Sequence, residues 1–223
     1  MTSIQASTMV SPGTKSRRFL ALCMGLILAL QVMAVDLREG DLLFVCSEVE
    51  NAITQVTDGV EGLPIDHVAI VHRIGGDEGL LYVIEAKKPA VCLTPIDTFL
   101  LENPYSIAGR VNAEVDIHKS IRHCLMMVGK PYDDLYMPGD SAIYCSELVQ
   151  LNYVDYQGSL VFEPIPMSFH DTSGQVTGYW KAFYAGRGMA VPEGAPGSNP
   201  GEMSRRPQVT IITNGFYSNK REE

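Results

Sequence analysis

No Cys-x-x-Cys pair, internal repeat or run of like charge occurs in this 223-residue sequence, and past residue 34 no stretch is long and apolar enough to cross a bilayer. Each absence excludes a class. The cysteine spacing gives neither a redox motif nor a zinc pattern, so no metal site and no cofactor is implied. Basic residues are scarce, 17 Lys and Arg against 26 Asp and Glu, for a net charge of −9. That balance argues against nucleic acid and anionic membrane surfaces as partners and for neutral or cationic ones.

What is present begins with a leader-like segment. Lys15, Arg17 and Arg18 precede an apolar run from Phe19 to Leu30, and Val32-Met33-Ala34 forms a small-residue cleavage pattern. Cys23 follows Leu22, where a lipoprotein signal needs a small residue. The segment reads as a secretory signal peptide over residues 1–34, with an uncleaved anchor as the competing reading. Cleavage leaves 223 − 34 = 189 residues, residues 35–223, enough for one domain with a substantial core. It also removes three positive charges and no negative ones, taking the net charge from −9 to −12. A monomer without an integral membrane segment, secreted or periplasmic, is expected. In an oxidising compartment the four remaining cysteines, Cys46, Cys92, Cys124 and Cys145, invite two disulfides. If Cys145 works as a free thiol, at most one forms, and a Cys46–Cys92 bridge is conceivable.

Asp41 to Val45 reads as a first strand, and 51–65, with no firm period, as a loop holding at most a helical turn. His67 to Ile74 and Leu80 to Ala86 flank Gly75-Gly76-Asp77-Glu78-Gly79, which makes a hairpin. Shorter strands are expected at Ala90 to Thr94 and Ile107 to Val111. Asp116 can cap a helix whose apolar residues Ile117, Ile121, Cys124, Leu125 and Val128 recur at helical spacing, with Gly129 as the stop. Asp140 or Ser141 can cap a second, with Ile143, Leu148, Leu151 and Val154 on its apolar face. From Met189 the Pro- and Gly-rich tail reads as an extended wrap or a mobile end, with a last strand at Val209 to Thr213. Antiparallel strands with segregated helices define an α+β domain.

Cys145 lies near the start of that second helix, where the dipole favours a thiolate over the ordinary thiol, whose pKa is roughly 8.5. A thiolate needs a base and a group to hold the base. If Gly75 to Gly79 is the turn, opposed residues sum to 154, so Glu85 faces Ala69 and His67 is its diagonal neighbour on the same face. His72 falls on the other face. A cysteine, an imidazole and a carboxylate in these roles are the thiol counterpart of a serine triad. Taken alone, each has a plainer reading: a small core residue, a strand histidine and a strand-end charge.

The segment "GKPYDDLYMPGDSAIYCSELVQLNY" resembles the nucleophile region of the NlpC-type papain-like hydrolases. Because "DHVAIV" and "VIEA" precede it, the order is similar to the circularly permuted YiiX/YebB-like branch, as are "REGDLLF" and "GAPGSNPGEMS". The resemblance implies a permuted papain-like fold with an antiparallel sheet packed against helices. It also implies Cys145 as nucleophile, His67 as base, Glu85 as orienting residue, and Tyr132 and Tyr144 as substrate-side residues. Glu147 stands where unpermuted members have glycine, and is expected to turn away from the sulfur.

The leading expectation is a cysteine hydrolase that cleaves amide or peptide bonds of the cell envelope, such as peptidoglycan stem peptides. The Cys145 N–H, unpaired at a helix start, would help hold the oxyanion. A second reading is a hydrolase or acyltransferase for lipid or N-acyl amino acid substrates, with Phe99-Leu100-Leu101 and the 51–65 loop lining an apolar groove. A third is a binding module with an idle triad.

Overall fold

In a computed structural model, which describes residues 36–213 apart from 77, 78, 113 and 140, the strand-forming segments pair into one antiparallel sheet. The leader-like segment through Ala34 and the capping candidate Asp140 lie outside the described residues. The described residues from Leu37 belong to one compact unit. Its strands are β1 (Leu42–Cys46), β2 (Ile65–Ile74), β3 (Leu80–Ala86), β4 (Val91–Pro95), β5 (Ser106–Val111) and, after the helices, β8 (Val209–Thr213). They are ordered β4-β3-β2-β1-β5-β8. Ile165–Pro166 and Pro196–Gly197, β6 and β7, form a separate two-residue pairing.

The β2–β3 hairpin keeps the offset expected from its turn, with Ile74 opposite Leu80 and Ile70 opposite Ile84. The register irregularity in β2 comes elsewhere, where Val45 faces His67 but Cys46 faces Ile65. The parity between His67 and the turn is therefore preserved. At the start of β1, buried Asp41 accepts both Arg110 Nε and Nη2, at 2.9 and 2.7 Å, and so ties β1 to β5 by side chains as well as by the ladder.

Five α-helices are described: α1 (Ile96–Glu102), α2 (Ile117–Met126), α3 (Cys145–Asn152), α4 (Gly178–Ala185) and α5 (Pro200–Ser204). The Asp116 side chain accepts the Lys119 N–H and caps α2 as expected, but the helix ends at Met126, before Gly129. Helix α3 corrects the expectation of a cap at Asp140 or Ser141. Ile143 is held in a bridge to Tyr132, its N–H bonded to the Pro131 carbonyl, so the chain stays extended through Tyr144 and turns helical at Cys145. The tail carries the expected last strand, β8 pairing with β5, and also a helix that was not expected: Asn199 Oδ1 accepts the Gly201 and Glu202 N–H groups and Pro200 opens α5.

The main core lies between the sheet and α3, with Phe44, Val68, Ile70, Ile84, Leu148 and Val149 in contact. A second, aromatic cluster gathers Met167, Phe169, Trp180 and Tyr184. All four described cysteines are free thiols, which corrects the expectation of disulfides.

Candidate active site

Cys145 is the first residue of α3, so its N–H has no acceptor within the helix. Glu147, one turn in, folds its carboxylate back to the Tyr144 N–H at 3.4 Å and so braces the helix start. His67 and Glu85 meet as their register requires, His67 Nε2 standing 3.0 Å from Glu85 Oε2. His67 also interacts with Cys145, which helps to raise its pKa. Since Nε2 is taken by Glu85, the ring presents Nδ1 to the sulfur. The three residues thus form a relay in the order Cys145, His67, Glu85.

Electrostatics follow from this chain. Burial on its own would lower the pKa of His67, but hydrogen bonds to Cys145 and Glu85 outweigh it and raise the value from 6.5 to about 10. Burial would raise that of Glu85, yet hydrogen bonds from His67, Lys87 and Thr94 bring it down from 4.5 to about 2. At neutral pH the pair is an imidazolium on a carboxylate. His72, the alternative, is engaged elsewhere, its Nδ1 2.8 Å from Glu39 Oε1.

Tyr132 shares a cleft of about 280 Å³ with His67, Lys87 and Tyr136. Its hydroxyl is hydrogen-bonded to that of Tyr136, and burial together with the nearby Cys145 pushes its pKa upward. Tyr144 lines a different cavity, together with Cys145, and its hydroxyl accepts the Ser198 N–H at 3.0 Å. It is a wall residue that anchors the 196–199 segment. Gly197 permits this approach: a Cβ there would fall 2.5 Å from Met167 Sδ and 2.9 Å from Tyr144 Oη.

That wall belongs to a cavity of about 250 Å³ open to Cys145, with Ile53, Val56, Ile165, Met167, Phe169 and Trp180 as its apolar lining. The 51–65 loop contributes as expected. It is latched by Asn51 Nδ2 to Asp66 Oδ2 at 2.6 Å and by Trp180 Nε1 to the Ala52 carbonyl at 3.0 Å. The Phe99-Leu100-Leu101 triplet does not line it. Phe99 is buried in α1 with its ring 6.4 Å from that of His67, and Leu101 is 84% exposed. The other wall comes from residues 165–180, which carry no periodic signal strong enough to mark them in the sequence. Tyr136, also unmarked, packs edge-on against Tyr144 and Trp180, at 5.4 and 5.7 Å between centroids. It borders both cavities and holds a φ of +53°. Asp133 explains that backbone: its two carboxylate oxygens accept the Leu135 and Met137 N–H groups, each at 2.7 Å, and close a tight loop around Tyr136.

A cysteine at a helix start, joined through an imidazole to a carboxylate from a neighbouring antiparallel sheet, defines a cysteine hydrolase of papain-like architecture. The family profile described as permuted papain-like amidase enzyme, YaeF/YiiX, C92 family, matches residues 36–213, and the chain belongs to that family. It is similar to a crystal structure titled metalloprotein YiiX from Escherichia coli O157:H7, with 22% identity over 80% of this chain and 98% of that one, at a TM-score of 0.64. No curated protein matches. Among the described residues, no group of three or more His, Cys, Asp or Glu stands where it could hold a metal ion, and no helix is long and apolar enough to cross a membrane.

Proposed function

We propose that this protein hydrolyses amide bonds of cell-envelope molecules through an acyl-enzyme on Cys145, with His67 carrying the proton and Glu85 orienting the ring. The carrying observation is the Cys145–His67–Glu85 relay with its sulfur at the first residue of α3. The thiolate attacks the carbonyl carbon, a C–S bond forms, and the charge moves to oxygen, where the Cys145 N–H and the Tyr132 hydroxyl donate. His67 gives its proton to the nitrogen as the C–N bond breaks and the amine leaves. Water then attacks the thioester, His67 takes one of its protons, the C–S bond breaks to restore the thiolate, and the carboxylic acid leaves and gives its remaining proton to solvent.

The two cavities divide the substrate. His67 must reach the leaving nitrogen, so the cleft walled by His67 takes the amine, and the cavity beyond Cys145 takes the acyl part. The acyl side is apolar. This lining supports an N-acyl amine with an apolar acyl group over a stem peptide, whose charged groups would be desolvated there at a penalty of a few kcal/mol or more. The leader-like segment supports an envelope location, secreted or periplasmic. The test offers purified protein both muropeptides and a graded series of N-acyl amino acids, beside Cys145→Ala. Release of the acyl acid that requires Cys145 is the expected result; cleavage unaffected by the substitution, or of neither substrate class, contradicts the reading.

A further inference from the structure

Glu85 is 2% exposed, and its two oxygens have different duties. Oε2 faces His67 Nε2 at 3.0 Å. Oε1 accepts Thr94 Oγ1 from β4 at 2.5 Å and the ammonium of Lys87 at 2.8 Å. Lys87 follows β3 directly, two residues beyond Glu85, and so projects to the same side of the chain. Its Nζ also lies 3.4 Å from Glu102 Oε2 of α1, and its side chain is 38% exposed in the wall of the cleft that contains His67. Among the described residues, Lys87 is the one lysine or arginine within ion-pair distance of the Glu85 carboxylate.

A buried carboxylate bearing an undivided charge would bind an imidazolium firmly, whereas the reaction asks that imidazolium to release its proton to the leaving amine. An ammonium on the far oxygen moderates that grip. We propose that Lys87 is a positioning residue which, from the outer oxygen of Glu85, sets the charge balance of the His67–Cys145 pair. This rests on the reading of that pair as an imidazolium and a thiolate. The other groups facing it are Cys92 opposite Glu85 on β4, Glu102 on α1, Cys145 on α3, and Tyr132 and Tyr136 from the loop before it. Lys88 and Asp134 at the rim neutralise each other at 2.5 Å. Glu102 is more exposed than Lys87 and draws part of the ammonium's charge outward, which leaves Lys87 as the adjustable cation.

The sign is fixed by Coulomb's law. A nearby positive charge favours the thiolate and disfavours the imidazolium, so its loss makes the thiol ionise at higher pH and the imidazolium deprotonate at higher pH. Both limbs of a pH profile move in the alkaline direction, by about 0.5 pH unit, or roughly threefold in the ionised ratio, for a partly exposed charge. Salt reduces the effect.

The experiment needs no known substrate. Iodoacetamide alkylation of Cys145 in the purified full chain is followed by mass spectrometry from acid to alkaline pH, at low and high salt, for wild type, Lys87→Arg, Lys87→Gln and Lys87→Glu. Lys87→Arg should superimpose on wild type, Lys87→Gln should move alkaline by about 0.5 unit, and Lys87→Glu by about twice that, with both shifts shrinking at high salt. Lys87→Gln and Lys87→Glu profiles that coincide with wild type, while wild type reacts readily at acid pH, overturn the proposal, even if a lower melting temperature reveals a structural role. A wild type that reacts only at alkaline pH, as an ordinary thiol does, removes the underlying pair instead.

Discussion

The two apolar clusters of this molecule differ in what they build. The larger one, between the sheet and α3, is mainly aliphatic and places Cys145, while the adjoining strands place His67 and Glu85. The smaller one is aromatic, centred on Phe169, Trp180 and Tyr184. It supplies no reacting group and forms the far wall of the cavity beside Cys145. In the proposed reading, chemistry is set by regular secondary structure with fixed register, and selection by a cluster tethered through a few hydrogen bonds, such as Trp180 Nε1 to the Ala52 carbonyl and Tyr184 Oη to the Leu135 carbonyl. Substitutions in the two regions should therefore fail in different ways.

The largest effect is expected from Cys145→Ala, which should lower kcat by about 10⁴-fold or more while leaving a cooperative melt, since one sulfur is lost from a well-packed helix start. A single-turnover assay with any accepted substrate measures it. His67→Gln should cost about 10²- to 10⁴-fold in kcat. Glu85→Gln should fall in the same range or below it, with kcat affected more than KM. In the aromatic cluster the pattern should invert. Trp180→Ala should cost about 3–5 kcal/mol of stability in denaturant titrations, and flatten the preference among acyl chains with a smaller loss of kcat on the shortest one. Equal losses on all chain lengths would erase the division between the two regions.

A further prediction concerns stability against pH. Glu85, whose value in the fold is about 2 against 4.5 ordinarily, contributes stability that is complete above 4.5 and is lost as the pH falls towards 2. His67, at about 10 against 6.5, contributes stability that is complete below 6.5 and is lost as the pH rises towards 10. A plateau between these ordinary values, with a decline on either side that flattens in a His67→Gln, Glu85→Gln double variant, is the expected outcome of chemical melts across pH.

The same contrast explains what could be read before any coordinates. The His67–Glu85 contact was legible because a glycine-rich turn fixes hairpin register, and register with a period of two fixes which side chains meet. The capped helix α2 was legible from Asp116 and the spacing of its apolar residues. The start of α3 was not. Asp140 and Ser141 have the right chemistry for a cap, but the Tyr132–Ile143 bridge, a tertiary pairing, keeps the backbone extended past them. Helix α4 escaped notice although Thr177 caps it, because its residues are apolar nearly all round and show no stripe. Helix α5 did carry a signal, the Asn199-Pro200 start, hidden in a stretch whose Pro and Gly content suggests irregular chain. The cavity wall could not be read at all: Met167 and Phe169 come from irregular chain and Trp180 from α4, and only tertiary packing brings them together beside Cys145.

The central claim is that an acyl group passes through Cys145. Mass spectrometry of the protein quenched during turnover of an N-acyl amine, or after brief exposure to an activated ester of the same acid, tests it most directly. One acyl adduct is expected, carried by the peptide containing Cys145 and absent from Cys145→Ala. An adduct on Cys92 alone, or hydrolysis in steady state with no acylated protein and no dependence on Cys145, would contradict it.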